Sequence, residues 1–548
     1  MLYRDICRVL SYYIFGFSLM LCLPISLSVY FAFFDTSALV PSSLYAFVGT
    51  FLISLLLAFF LRWIGKKGSG FLYRREGLIL VVLIWFVTPA LAGLPFLLSG
   101  TLKNPFQAYF EAASGITTTG ATTMHPKRYD EVTGNEIPIE RTFCGAHTIA
   151  YSFWGTIAPI KDSKTGKVLL EGIEAVSFEL LFWRSFIQWL GGVGIVVLFV
   201  AVLPVLGVGG RILYQAEVPG PLKDSLTPRI KETAYFLWKI YVGMSLLEII
   251  LLMAFNSDIG LFEACTITFS TVSTGGFNIR NASIGALGSS ATDWTVIFFM
   301  LFGSINFSLY FFVLRGKIYK LYNTELFVYL CLLAISCGLV AFSIVGTTKV
   351  LITGEVDGIF SLGDAIRFAT FQVVSAQTTT GFVTADYDIW PYAAQVIMLI
   401  IMFIGGMAGS TAGGIKVMRY FMAFRIVQHK LESIFRPETV RRFRVSDRDV
   451  DTGTEILVLS YFSIVILIVV LAFLLYVFDG VDPESSISLV ALMINNIGIG
   501  FRMAAPNESC AFLSNFGLCL SSILMILGRL EFLAILAILF PSFWKTKT

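Results

Sequence analysis

Ser375-Ala-Gln-Thr-Thr-Thr-Gly-Phe382 is a run of small polar residues closed by a glycine, set between an apolar segment from Ile366 to Val374 and a long hydrophobic one from Ile389 to Ile404. Such backbone does not lie in lipid, because outside a helix its polar groups need protein or a watery cavity around them. The same kind of run recurs as Ile116-Thr-Thr-Thr-Gly-Ala121, Val272-Ser-Thr-Gly-Gly-Phe277 and Asn495-Asn-Ile-Gly-Ile-Gly-Phe501. Four such segments predict a pore with four walls.

Composition sets the solvent. Of 548 residues, 56% are hydrophobic, 15% aromatic and only 14% charged, with a mean hydropathy of +0.81. Soluble domains carry about 25% charged residues, so the chain reads as an all-α polytopic membrane protein. The net charge of +3 says little. Eight cysteines without a C-x-x-C pair indicate neither a zinc site nor a redox motif. Cys144 and Cys510 fall in polar loops on the expected outer face; a disulfide between them is one reading, free cysteines the default one. His125, His147 and His429 are isolated. There is no H-E-x-x-H, no P-loop and no nucleophile–histidine set, which disfavours a membrane enzyme or its anchor.

A spanning helix needs about 20 mostly apolar residues. Ten segments qualify: 10–34, 42–63, 77–99, 179–206, 234–255, 292–314, 326–346, 391–425, 455–478 and 512–543. The first lacks a small-residue cleavage site and is too long for a signal h-region, so it is expected to be retained. Half-length apolar segments at 105–116, 261–272, 363–376 and 485–495 each lead into one of the glycine runs. The resulting order is a two-helix addition (1–68) and four helix, half-helix, loop, helix units: 69–210, 211–320, 321–430 and 431–548. Polar residues 125–174 read as an extracytoplasmic insertion in the first unit.

Lysine and arginine test this layout, since cytoplasmic loops are enriched in them. They gather at Arg62 to Arg75, Arg211 to Lys231, Arg315 to Lys320, Lys416 to Arg448, and Lys545 with Lys547. Each group lies opposite the half-helices. All four loops therefore enter from the outer face, the repeats are parallel, and both termini are cytoplasmic. The stretch from Arg425 to Arg448 mixes apolar residues with cations, which suits either the inner membrane surface or a cytosolic partner.

A cation leaving water needs replacement oxygens, and a ring of backbone carbonyls supplies them. Glycine permits the unusual backbone angles that such a ring demands. Gly120, Gly275, Gly381 and Gly498 are the expected matching positions, preceded by Thr118-Thr119, Ser273-Thr274, Thr379-Thr380 and Asn496-Ile497. Glu111, Glu263, Asp364 and Glu484 sit near the half-helix starts, where the dipole favours acids; drawing cations to the mouth is the other reading. Asp386 and Asp388 are better candidates for an acidic vestibule. Below the loops, Gly405, Gly406, Gly409, Gly413 and Gly414 interrupt an expected helix; each costs about 1 kcal/mol there relative to alanine, which invites a break that gates the pore. Close helix packing is the alternative. Arg529, inside the last apolar run, either faces the permeation path, holds the glycine loop, or pairs with Glu531. Arg184 is expected to snorkel at a helix end, and Arg367 to brace its half-helix.

These loops, together with Phe182 to Gly194, Val202 to Gly210, Leu226 to Thr233, Gly405 to Lys416 and Leu527 to Glu531, resemble the TrkH family, the membrane subunits of bacterial Trk potassium uptake systems. The resemblance is less close to the related KtrB proteins. It implies potassium as the transported ion, no bound cofactor, a homodimer with one pore per subunit in the cytoplasmic (inner) membrane, and a cytosolic nucleotide-binding ring of TrkA type. It assigns the four loop glycines to a selectivity filter, Gly405 to Gly414 to an intramembrane gating loop, and Arg529 to the positive residue beside it. A sodium-permeable or ion-coupled symporter of the same superfamily is the alternative, and a serine in place of Gly120 would mark the sodium-permeable form. The long insertion and the Asn-Asn-Ile-Gly-Ile-Gly loop depart from the family pattern.

Overall fold

The computed structural model describes residues 3–33, 42–68, 72, 74–130, 132–144, 148–162, 164, 167–194, 230–435, 444–445, 448–449, 452–530 and 532–544. The Val202 to Gly210 motif, the first half of Leu226 to Thr233, His147, Glu531, Lys545 and Lys547 lie outside the described residues.

Helices α1 (Tyr3–Met20) and α2 (Cys22–Phe33) form one apolar stretch of 31 residues, followed by α3 (Leu44–Ile64). An order of long helix, short helix and a helix that soon breaks then starts with α4 (Arg74–Leu98), α5 (Pro105–Ile116) and α6 (Phe178–Trp189). It returns as α7 (Ile230–Phe255), α8 (Leu261–Val272) and α9 (Ser290–Ser304), the last continued by α10 (Phe307–Leu314). Next come α11 (Thr324–Ile344), α12 (Leu362–Gln377) and α13 (Tyr392–Met402), continued by α14 (Val417–Phe435). The chain closes with α15 (Thr452–Phe478), α16 (Pro483–Ile494), α17 (Asn515–Arg529), α18 (Leu533–Leu539) and α19 (Pro541–Trp544).

The short helices stop where expected. At about 1.5 Å per residue, the 12 residues of α5, α8 and α16 reach well under the roughly 30 Å of a bilayer core. Three of the four starts are fixed locally: Asn104 accepts from Phe106 N with Pro105 next, Ser361 accepts from Asp364 N, and Asp482 accepts from Ser485 N with Pro483 next. These are side-chain caps that satisfy free N–H groups. Each short helix is buried among its neighbours. One core packs α1, α4, α5 and α6 around Ile14, Leu80, Ile116 and Ile187; another joins α11 to α13 with α15 to α17 around Val373, Tyr461, Leu492 and Met525. The outer helices turn apolar side chains outward instead, with Ile466 and Leu467 of α15 61% and 67% exposed, as a lipid-facing surface requires.

The ten expected spans are not ten continuous helices. Among the described residues six helices are long and apolar enough to cross, or seven if α9 and α10 count as one span bent by 95°. The expected helix 292–314 breaks at Ile305–Asn306, and 512–543 breaks after Arg529. The helix in 179–206 ends at Trp189, passes into a π-turn (Leu190–Gly194) and then leaves the described residues. Only the break in 391–425 was expected, and it falls at 403–416. Each break carries glycine: Gly191-Gly192, Gly303, Gly405-Gly406 and Gly528. A Cβ at Gly191 would lie 2.0 Å from the carbonyl oxygen of Ile116, and one at Gly528 2.0 Å from that of Ile494. The longer helices can cross the ends of the short ones only at such residues.

The insertion folds into three hairpins: β1 (Arg128–Tyr129) with β2 (Glu136–Ile137), β3 (Ile139–Cys144) with β4 (Thr148–Phe153), and β5 (Ile160–Lys161) with β6 (Val168–Leu170). It reaches across to the last unit. Ile139 and Phe153 pack on Met503 and Ala511, Arg141 pairs with Glu508 at 2.6 Å, and the Tyr151 hydroxyl donates to Asp482. Cys510 is buried and free, in line with the default reading.

At the root of the insertion His125 is 8% exposed against Phe153, and burial, then Arg141 and Arg128, push its imidazole from 6.5 down to about 4. The unfolded segment therefore takes up a proton near pH 6.5 that the folded one refuses until about pH 4. Stability of the insertion is complete above that window and declines by about 2–3 kcal/mol through it on acidification. Hydrogen-exchange protection factors over residues 125–174, taken relative to the intrinsic rate at each pH, should fall between pH 7 and 4 in the parent and clearly less in His125→Asn; an equal fall in both would contradict this.

Candidate functional site

The four loops superimpose by backbone conformation. Thr118, Thr274, Thr379 and Asn496 all adopt left-handed φ between 54° and 57°, and two residues later Gly120, Gly276, Gly381 and Gly498 have φ between 78° and 89°. Between them, Thr119, Gly275, Thr380 and Ile497 donate their N–H to Ser114, Ser270, Ser375 and Leu492 at 2.7 to 3.0 Å. This fixes the register and corrects the expected match. The glycine of the second loop is Gly276, and Gly275 takes the place of Thr119, Thr380 and Ile497. Two adjacent glycines offered both registers. Asn496 takes the threonine position in the fourth loop, with Ile497 next.

The glycines close a ring. A Cβ at Gly120 would lie 2.2 Å from the carbonyl oxygen of Gly275, at Gly276 2.0 Å from that of Thr380, at Gly381 2.0 Å from that of Ile497, and at Gly498 2.2 Å from that of Thr119. Each loop thus abuts the next, and the fourth returns to the first. Any side chain at these positions would displace a carbonyl, besides straining φ. The ring is lined by polar groups out of bulk solvent: Thr118, Thr119, Ser273, Thr274, Thr379, Thr380 and Asn496 are fully buried. Thr118 Oγ1 and Asn496 Oδ1 have no protein partner, leaving lone pairs for a water or a cation. Asn496 Nδ2 donates to Thr119 Oγ1 and to the Met525 carbonyl, both at 2.9 Å, tying the last loop to the first.

The acids and arginines around the ring are mostly structural. Arg184 does not snorkel: it is 1% exposed, pairs with Glu111 at 2.8 Å, donates to the Asn278 carbonyl at 3.1 Å and stacks on Phe277. Glu111 is the seventh residue of α5 and fully buried, not a terminal charge. It also accepts from Thr122 and from Thr123 N. Such a buried pair is held because removing one partner leaves an uncompensated charge, at about 3–5 kcal/mol. Glu263, Asp364 and Glu484 do sit in first turns; Glu263 pairs with Arg280 and Glu484 with Arg502. Arg367 braces its helix on Asp293 at 2.6 Å, as expected. Asp388 is engaged by Arg502 and Asp386 by Asn507, so neither is a free vestibule charge.

Beneath the ring lies the glycine segment. Residues 403–416 leave the helix between α13 and α14, and Gly413 N donates to Thr379 Oγ1 at 2.6 Å, directly under the third loop. Its far side is pinned to the α9–α10 break: Met407 N to Ser304 O, Phe307 N to Gly409 O and Thr411 N to Gly303 O, at 3.0 to 3.1 Å. Glu325 accepts from Ala408 N at 2.7 Å, and Lys416 Nζ donates to the Ala412 carbonyl. Arg529 donates to Thr411 O at 2.8 Å and, with its other nitrogen, to Gly191 O and Gly192 O at 2.8 and 3.0 Å. Of its three expected roles, holding the glycine loop is the one with geometry on this side; Glu531 lies outside the described residues. Sequence reading missed Glu325 and the receiving carbonyls and counted Lys416, here 2% exposed, with the cytoplasmic cluster, because backbone partners leave no trace in residue type.

Residues 161–544 match the family model for TrkH, described as a cation transport protein. The chain is 33% identical to the Trk system potassium uptake protein TrkH of Escherichia coli K12, with 91% of this chain and 92% of that protein covered. It is 31% identical to the Halomonas elongata protein of the same name, with 99% of each covered. The crystal structure of the potassium transporter TrkH from Vibrio parahaemolyticus superposes with a TM-score of 0.77 at 28% identity, with 100% of each chain covered.

Proposed function

The chain belongs to the TrkH family of cation transport proteins, and from that premise we propose that it takes up potassium across the cytoplasmic membrane through the ring of four loops, with residues 403–416 as the gate. The observation that carries this reading is the closed series of glycine–carbonyl contacts, 2.0 to 2.2 Å from the ideal Cβ positions. Thr118 to Gly120, Thr274 to Gly276, Thr379 to Gly381 and Asn496 to Gly498 form the filter, with Ser273 just below it. Carbonyls crowded at one constriction replace the hydration shell of an ion, and the short helices aim their partly negative C-terminal ends at the same place. The ion is substrate. Inward membrane potential, about 2.3 kcal/mol per charge per 100 mV, drives uptake without a bound cofactor.

The four units after the two-helix addition at 1–68 are 69–210, 211–320, 321–430 and 431–548, one wall of the pore each. Relatives named for a Trk system imply further components, and we assign the partners as a second copy of the chain and a cytosolic nucleotide-binding ring. Helix α14 suits that ring or the inner leaflet, with Phe424, Ile434 and Phe435 70 to 81% exposed beside Arg425 and Lys430.

Flux in proteoliposomes tests the filter. Gly381→Ser places a side chain against the Ile497 carbonyl, so its potassium-to-sodium flux ratio should fall toward one; a ratio equal to the parent's would remove this loop from the filter. The gate has its own test. Arg529→Ala removes charge-assisted bonds worth about 1.5–3 kcal/mol each, and about 1.4 kcal/mol is a factor of ten. Potassium flux without any cytosolic partner should rise at least about tenfold; unchanged flux would refute the gate.

A further inference from the structure

We propose that Gln188 is the positioning residue of the second filter loop, where its amide stands in for a side chain that the loop lacks; the inference rests on the filter reading above. In the first and third loops the residue before the ring glycine is a threonine whose hydroxyl pairs with the threonine two positions back. Thr119 meets Thr117 and Thr380 meets Thr378, each at 2.7 Å. The second loop has Gly275 at that place and Ser273 two positions back. The amide of Gln188 occupies the vacated space: a Cβ at Gly275 would lie 2.5 to 2.9 Å from its Cδ, Oε1 and Nε2.

The amide bonds on both sides of the ring glycine. Nε2 donates to the Gly275 carbonyl at 2.5 Å, and Oε1 accepts from Phe277 N at 3.1 Å. Those two groups belong to the two peptide units that flank Gly276, and only an amide, with donor and acceptor on one carbon, serves both. Gln188 is fully buried, so water does not compete for either bond. The Gly275 oxygen is also the ring atom against which Gly120 packs, so the orientation of one wall's carbonyl depends on this side chain.

The other loops are held differently. Their outgoing limbs are tied to their own short helices: Thr123 N to Glu111 at 3.0 Å, Phe382 O from Ser375 Oγ at 2.8 Å, and Phe501 N to Ser488 Oγ at 2.7 Å. The second loop has such a tie further out, from Arg280 to Glu263, and next to its ring glycine it is held by α6, from the preceding unit. Arg184 lies one helical turn before Gln188 on the same face, and its bonds to Glu111 and the Asn278 carbonyl fix the rotation of α6 that aims the amide.

The test measures potassium-to-sodium flux ratio, total rubidium flux and melting temperature in full-length protein. Gln188→Met keeps the volume and removes both bonds; its ratio should drop about threefold to tenfold, the loss expected for one or two buried hydrogen bonds, while rubidium flux persists. Gly275→Thr alone should lower the ratio by collision with Gln188. The pair Gln188→Ala with Gly275→Thr recreates the threonine arrangement, with Ser273 as partner, and should recover most of the parental ratio. A merely structural role predicts a lower melting temperature with an unchanged ratio and no recovery in the pair. A parental ratio in Gln188→Met, or a pair no better than its worse member, overturns the proposal while Gly381→Ser still loses selectivity. If Gly381→Ser also keeps the parental ratio, the filter reading itself fails and this proposal with it.

Discussion

Everything in this protein is arranged around a contact that no side chain can make. At Gly120, Gly276, Gly381 and Gly498 the neighbouring carbonyl oxygen stands 2.0 to 2.2 Å from where a Cβ would be. Backbones that meet this closely leave the loops no room to shift, so the loops are held from behind. The holders are the short helices, their caps, the buried Arg184–Glu111 pair and the amide of Gln188. A rigid surround of this kind is what the proposed filter requires of its backbone carbonyls.

The same constraint explains the breaks in the longer helices. A continuous helix would cross the end of each short helix with a side chain in the way. Gly191 and Gly528 remove it, and the freed carbonyls of Gly191 and Gly192, together with that of Thr411, then become acceptors for Arg529. One guanidinium thus joins the first unit, the last unit and the glycine segment of the third. In the third unit the break has grown into residues 403–416, which touch the ring at Thr379 and the second unit at Gly303 and Ser304. The segment is tied to its surroundings by these hydrogen bonds and by the buried side chains of Met407 and Ile415.

Much of this was legible in residue order. Half-length apolar segments before glycine runs gave the loops, and five glycines gave the break at 403–416. The register of the second loop was not legible, because Gly275-Gly276 fits two alignments until backbone angles separate them. Glu111 and Arg184 are 73 residues apart and Gln188 and Gly275 are 87 apart, distances at which neither charge pattern nor helical periodicity reports a contact. Arg184 therefore looked like a snorkelling end residue. The breaks at Ile305–Asn306 and after Arg529 did have a signal: Gly303 and Gly528 follow their ring glycines by intervals close to that of Gly405. Hydropathy hid them, since both breaks lie within apolar runs.

Anomalous diffraction from crystals grown with rubidium or thallium in place of potassium tests the central claim most directly. The account predicts an ion on the axis of the ring, in contact with the carbonyl oxygens of Thr119, Gly275, Thr380 and Ile497, and its loss from that position in Gly381→Ser. An empty ring in a protein that still carries rubidium, or ions bound along another path, would contradict it.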